Sequence, residues 1–387
     1  MFRSLSIGLL SWSLSIVLYS PRLTLFLGLN SGATRRDDLL AQCIDPLTRN
    51  LAEPILAYRI IQPWIAHTLG LCGDRRDLPA LLGSPGIAYL ALILALACCH
   101  WALWQRFSAS VALLGTLALA TTMVTQWTNT AWGHPDSLTL LPIALLLIWR
   151  QPLLVATAVA LGALNDERLV LALPFLALWW WRASDKLTVA VRELRSPTLG
   201  VLAGLAVAVL VRAALAKGWI GPGIVDAYSG GSLLSGSLQR VLQPSTWPGL
   251  LVMVLLGFRW LWLVPVMALS ILWRERVTIR GLVYGIGLLL TSLATFSVAD
   301  VSRSFAFLFP AILVGLTILV EQGGWSLSRL QRWLAWILGL NVLTPAAKVF
   351  DVPAAWWENP LIWASPYLPL PVNLWQWLRS PNGAVTW

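Results

Sequence analysis

Apolar runs recur along this chain from residue 5 to about 345, each ended by a short polar or Pro/Gly break. Segments of that length have one general solution. In lipid the backbone N–H and C=O groups must be satisfied within the protein, and for apolar runs this long the α-helix does so inside each segment. Composition agrees, with 58% hydrophobic and 11% charged residues, where an ordinary soluble domain carries roughly a quarter charged. The expected fold is all-α, a polytopic transmembrane helical bundle of about eleven spans. These lie near residues 5–20, 84–104, 109–126, 137–149, 152–164, 169–181, 197–217, 248–273, 281–298, 305–320 and 333–346. Residues 1–346 then make one bundle that includes a long loop over 21–83, and 347–387 make a Trp- and Pro-rich outer tail packed on it.

The first run follows Arg3 and is ended by Pro21 and Arg22 with no small-x-small cleavage pattern, so it reads as a retained first helix. The 24 Trp residues favour helix ends, where an indole sits at the membrane-water boundary. Net charge is +10, but the basic residues are scattered among the runs, and no dense basic stretch points to nucleic acid. An excess of Arg and Lys in cytoplasmic turns accounts for them. The segment WRASDKLTVAVRELRS at 181–196 carries Arg182, Lys186, Arg192 and Arg195, and is assigned to the cytoplasm with WRERVTIR at 273–280 and SLSRLQRW at 326–333. Counting outward puts the N-terminus, Arg3, Arg106 and Arg150 on that side too. A compact, Arg-dominated chain of this kind is expected in a bacterial plasma membrane.

Residues 55–71, ILAYRIIQPWIAHTLGL, place Ile55, Leu56, Ile60, Ile61, Trp64, Ile65 and Leu69 near helical spacing, with Arg59 and Gln62 elsewhere on the wheel. A helix lying in the membrane interface within the 21–83 outer loop is the expected form. Cys43 and Cys72 share that loop and can pair if it faces an oxidising compartment. Cys98 and Cys99 sit adjacent in an apolar run and are expected only to pack, and no Cys/His spacing points to zinc.

Four polar clusters fall on the outer side in this topology. They are GATRRDDLL with Asp37 and Asp38, TNTAWGHPDSL with His134 and Asp136, LNDERL with Asp166, Glu167 and Arg168, and FSVADVSRSF with Asp300 and Arg303. Depth sharpens the reading of the third. Fourteen residues separate Arg150 from Asn165 and thirteen separate Arg168 from Arg182, so each arm is about 20 Å long at 1.5 Å per residue. A hydrocarbon core is about 30 Å thick. The NDER turn is therefore the tip of a hairpin that stops below the outer surface, and the thirteen residues between Asp136 and Arg150 bring GHPD to a similar depth. Ionised groups at that depth are expected to line a water-filled cavity rather than face lipid. Taken singly, each cluster also has a plain reading. NDER can be an ion-paired turn, Asp136 a helix cap, the Asp37–Asp38 pair solvated loop charge, and Arg303 a partner for Asp300. Arg259, well inside the 248–273 run, either pairs within the bundle or meets a lipid phosphate.

This arrangement resembles the GT-C superfamily of integral-membrane glycosyltransferases. It shares one helix, then a long outer loop with acidic residues and an interfacial helix, then acids in a second outer loop before a many-span bundle. The resemblance implies transfer of a sugar from a polyprenyl-phosphate-type lipid donor to a glycan, lipid or protein acceptor outside the cytoplasm. It implies that Asp37 or Asp38 is the catalytic base and that Asp136, beside His134, holds the second acidic position. The acid is doubled here, and the bundle is expected to be followed by the Trp- and Pro-rich tail over 347–387 where the family pattern has a large soluble domain.

Residue chemistry leads to the same expectation. Displacing phosphate from an anomeric carbon needs a carboxylate to take the acceptor's proton and positive charge or a metal on the departing phosphate. Arg303 and Arg168 are guanidinium candidates for the phosphate. Asp136, Glu167 and His134 could hold a divalent cation such as Mg or Mn, or orient sugar and arginines without one, with Asp166 beside them. The alternative class is a secondary transporter or lipid flippase with an outward-facing polar cavity. Transporters are usually built from repeated halves, and neither GHPD nor NDER has a second copy in the later half.

Overall fold

The computed structural model describes residues 1–19, 43–47, 59–72, 84–122, 125, 136–181, 187–221, 254–255, 257–276, 278–296 and 304–344. Over these residues the chain is all-helical, with no strand. The α-helices are α1 (Phe2–Tyr19), α2 (Ile61–Thr68), α3 (Ser84–Trp104), α4 (Ala109–Ala120), α5 (Asp136–Leu146), α6 (Pro152–Asn165), α7 (Leu173–Trp180), α8 (Leu187–Ala216), α9 (Leu263–Arg274), α10 (Thr278–Phe296), α11 (Phe309–Glu321) and α12 (Leu327–Leu343). Short 3-10 turns at Glu167–Ala172, Arg259–Trp262 and Phe305–Leu308 run directly into α7, α9 and α11. Two helical stretches, Gly86–Trp104 and Thr188–Ala216, are long and apolar enough to cross a membrane by length and composition.

Every apolar run named above contains a described helix, but several boundaries move. The largest correction is at α8, which begins at Leu187 and not at 197, so the basic segment is helical from there on. Its charges sit on the outward positions of a helical repeat. Ala190, Leu194, Pro197 and Val201 face inward at spacings of four, three and four, while Val191, Arg192 and Arg195 are exposed. Helix α4 stops at Ala120, six residues short of the expected end, where Thr121 and Thr122 turn their hydroxyls back onto Ala118 and Leu119 carbonyls. Helix α2 covers only eight residues of the amphipathic 55–71 stretch. At 1.5 Å per residue it is about 12 Å long.

The basic turns gather at one end of the bundle. The Arg3 guanidinium lies 5.5 Å from the Trp104 ring, and Ser4 and His100 share a 2.9 Å hydrogen bond. Arg106 stacks 3.9 Å from the Trp179 ring, donates to the Trp179 carbonyl and meets Glu321 at 3.4 Å. The Trp179 and Trp180 indoles donate to the Leu147 and Leu146 carbonyls, both at 2.7 Å. Arg280 lies 5.8 Å from the Trp181 ring, and Gly323 packs on Ile271. The start of α1 and the C-terminal ends of α3, α5, α7, α9 and α11 therefore meet at one end.

These contacts also confirm the hairpin. Helix α6 leaves the basic end at Pro152, the chain turns at Asp166, and α7 returns so that Trp179 and Trp180 bond the far end of α5. The NDER tip lies at the other end, beside Asp136 at the start of α5.

Helix α8 then runs parallel to α6. A Cβ on Gly200 would stand 2.5 Å from the Pro152 carbonyl, and one on Gly204 2.5 Å from the Ala156 carbonyl. This is a Gly-x-x-x-Gly contact, in which absent side chains let two backbones approach closely. Gly204→Val should cost about 1–3 kcal/mol through overpacking, read as a lower melting temperature in detergent. Gly339→Ala, where an added Cβ meets nothing within 4 Å, should leave melting unchanged.

Candidate functional site

The turn that follows α6 builds the site. Asp166 has extended backbone, φ −155° and ψ 122°, which ends the helix and lets its side chain cap the next turn by accepting from the Arg168 N–H at 2.9 Å. The same carboxylate takes the Arg168 side chain, with Nε donating to Oδ1 at 2.9 Å and Nη2 bonding Oδ2. Two residues of one turn thus form a fork-on-fork pair whose geometry the backbone fixes.

Arg168 has donors left for the neighbours. Nη2 also bonds Asp136 Oδ1 at 3.1 Å, and Nη1 donates to Ser304 Oγ at 2.6 Å. Its guanidinium lies 4.8 Å from the Phe307 ring. Asp136 stands in the first turn of α5, where the helix dipole also favours negative charge. Asp136 and Asp166 are 1% and 0% exposed and Arg168 is 8% exposed, so this triad is removed from solvent. Beneath it, Asn165 Nδ2 donates to Thr139 Oγ1 at 2.8 Å, tying the hairpin tip to α5.

Two further arginines complete the cluster. Arg59, buried just before α2, reaches Asp166 Oδ2 at 3.0 Å, Glu167 Oε1 at 3.8 Å and Asp136 Oδ1 at 4.0 Å. Arg212 on α8 donates to Glu167 Oε2 at 2.9 Å and to the Ala163 carbonyl at 2.7 Å. Among the described residues the cluster holds three carboxylates, Asp136, Asp166 and Glu167, and three guanidinium groups, Arg59, Arg168 and Arg212. Its formal charge balances. Glu167 is the open member, with 45% of its side chain exposed.

Asp136, Asp166, Glu167 and Arg168 are thus brought together as the sequence led one to expect. Asp37, Asp38, His134 and Arg303 lie outside the described residues, as do Asp300 and the 347–387 tail. Ser304, next to Arg303, is in the cluster. Sequence reasoning missed Arg59, Arg212 and Ser304. For Arg212 a signal existed, an arginine near the end of an apolar run whose Gly-x-x-x-Gly face packs on the helix leading into NDER. Among the described residues no group of three or more His, Cys, Asp or Glu side chains converges as a metal site.

Arg259 resolves toward pairing within the bundle. It has φ +52°, the left-handed region that non-glycine residues rarely adopt. Its buried Nη1 donates to the carbonyls of Thr121 and Asn341 at 2.8 and 2.7 Å, holding the last turns of α4 and α12 together. A cation there also complements the negative ends of both helices. Asn341 adds its own bonds to Trp260 N–H, the Ala118 carbonyl and Thr121 Oγ1.

In the loop segment, Cys43 and Cys72 form a disulfide, so the pairing left open by spacing is made. Comparison with protein-family models, with curated proteins and with solved structures returned no match.

Proposed function

We propose that this chain is a membrane glycosyltransferase of the inverting type. It transfers a sugar from a lipid-phosphate donor to a glycan, lipid or protein acceptor on the outer face of a bacterial plasma membrane. In this reading the eleven helical segments other than α2 make up the membrane bundle, with the 3-10 turns counted with the helices they enter and with α5 and α6 stopping short of the outer surface. The basic end faces the cytoplasm, as an excess of Arg and Lys requires. The Cys43–Cys72 disulfide suits an outer loop.

The observation that carries the proposal is the position of the charged cluster. It lies at the end of the bundle opposite the basic turns, at the top of helices too short to cross. Helices α5 and α6 have 11 and 14 residues, about 17 and 21 Å. A core of about 30 Å then leaves the cluster some 10 Å below the outer surface. A site at that depth suits a reaction between a headgroup phosphate and an acceptor arriving from outside.

For the described residues, roles follow from the geometry. Arg168 spends its donors on Asp166, Asp136 and Ser304, so it acts as a positioning residue that aims Asp136, with Asp166 as its brace. Glu167 is open and can accept from a sugar or acceptor hydroxyl. Asp37 or Asp38 as the base, Arg303 as the guanidinium for the phosphate and His134 as the group that orients the sugar are assigned from the resemblance and the residue chemistry, since these four lie outside the described residues. A divalent cation at Asp136, Glu167 and His134 remains part of the proposal as the alternative counter-charge for the leaving phosphate.

The test uses proteoliposomes supplied with labelled lipid-phosphate sugars extracted from bacterial membranes, together with an outer-leaflet acceptor extract. A covalently labelled product is the expected outcome. Counterflow of the label across the membrane with no covalent product would instead establish the transporter or flippase. Product length on a gel separates single-sugar transfer from a polymerase or ligase.

A further inference from the structure

Arg59 is delivered to the cluster by a segment unlike the others. It precedes the eight-residue helix α2, which is too short to hold itself in place, since isolated helices of that length are marginal in water. Three contacts anchor it. The disulfide ties Cys72 to Cys43 across a sequence separation of 29 residues, His67 Nδ1 shares a 3.0 Å hydrogen bond with the Cys43 carbonyl, and Ile61 packs on Ala163, Leu164 and Ala208. The Cys43 segment is in turn seated against the end of α8, where Leu47 meets Gly221. Closing a loop of this size removes chain entropy that opposes setting a cation in a buried site.

Charge makes that delivery consequential. With Arg59 present, three guanidinium groups face three carboxylates. Without it, two guanidinium groups, Arg168 and Arg212, are left against the three carboxylates among the described residues.

We propose that the Cys43–Cys72 disulfide is a redox latch that holds Arg59 in the Asp136–Asp166–Glu167 cluster. Reduction by a dithiol opens it. A dithiol thiolate attacks the sulfur of Cys72, the more accessible of the pair. The S–S bond breaks, Cys43 leaves as a thiolate and takes a proton. The reductant's second thiol then resolves the mixed disulfide, freeing Cys72 and leaving an oxidised cyclic disulfide. Two electrons and two protons pass to the cystine. Arg59 then withdraws with α2, and the cluster loses one of its three described cations. Loss of anionic-donor binding as a consequence rests on the glycosyltransferase reading; the latch itself does not.

The test is hydrogen–deuterium exchange on the full-length protein in nanodiscs, with and without dithiothreitol. Reduction is expected to speed amide exchange at 163–169 about tenfold, and Cys43→Ser with Cys72→Ser should reproduce it. Arg59→Gln should give the same increase with the disulfide intact, and Arg59→Lys, which keeps the charge, should retain most of the protection. Reduction of Arg59→Gln should add nothing further, because both changes act through one contact. Two results would overturn the proposal: faster exchange at 43–47 and 59–72 with 163–169 unchanged, or effects that multiply to about a hundredfold. If Arg59→Gln does not fold, Arg59→Lys carries the cycle, and reduction must then speed 163–169 less than in the wild type. Exchange is read here and not transfer, so failure of the latch is distinguishable from failure of the glycosyl-transfer reading.

Discussion

Arg168→Met is expected to destabilise the bundle by about 3–5 kcal/mol, the usual cost of removing one partner from a buried ion pair. The reason is what remains. Asp136 and Asp166 would stay at 1% and 0% exposure with the nearer of their two shared cations gone, and Ser304 would lose its guanidinium partner. Arg168→Lys should recover little, because one ammonium cannot reach both Asp166 oxygens, Asp136 and Ser304 from the same stem. Glu167→Gln is the control. Its side chain is 45% exposed, and removing an exposed ion pair should cost less than about 1 kcal/mol. Denaturation in detergent, followed by a helical signal, reads all three. If Arg168→Met melted with the wild type, the cluster would not be the brace that joins α5, α6 and the Ser304 segment.

The second large effect concerns chemistry. Changing Asp37 and Asp38 together to Asn should lower glycosyl transfer by about 10²–10⁴, the range typical of a lost general base, while leaving the melting temperature near the wild-type value. Each single substitution then shows which of the doubled acids takes the acceptor's proton. The contrast with Arg168→Met is diagnostic, since that variant should lose stability first and activity with it. Intact transfer in the double Asn variant would remove both residues from the base role.

The helical fold was legible because apolar periodicity and backbone satisfaction in lipid leave few options, and each run does contain a helix. Boundaries were less legible where charge and helix coincide. Arg192 and Arg195 looked like a loop, yet the inward stripe of Ala190, Leu194 and Pro197 carries α8 through them. The NDER hairpin was readable because arm length is a count of residues and the basic flanks fix both feet.

Its partners were harder, for a physical reason. Ser304 lies 136 residues from Arg168 and Arg212 lies 45 from Glu167, and nothing local in either segment encodes the meeting. Arg59 misled more directly. A helical wheel over 55–71 put it on a polar face at an interface, whereas the disulfide-closed loop turns it inward onto the carboxylates. Cys43 and Cys72 have no diagnostic spacing, so their pairing depends on tertiary placement that a single sequence does not carry.

One measurement bears most directly on the central claim, that a lipid phosphate reacts at the end of α5 and α6 that holds the charged cluster. It is electron cryomicroscopy of the full chain in nanodiscs containing a polyprenyl-phosphate lipid. The account predicts phosphate density at the end of the bundle that holds Asp136, within hydrogen-bond reach of Arg303 and on the open side of Glu167. Density among Arg192, Arg195 and the turns beside Trp179 instead, with the Asp136 end unoccupied, would contradict it.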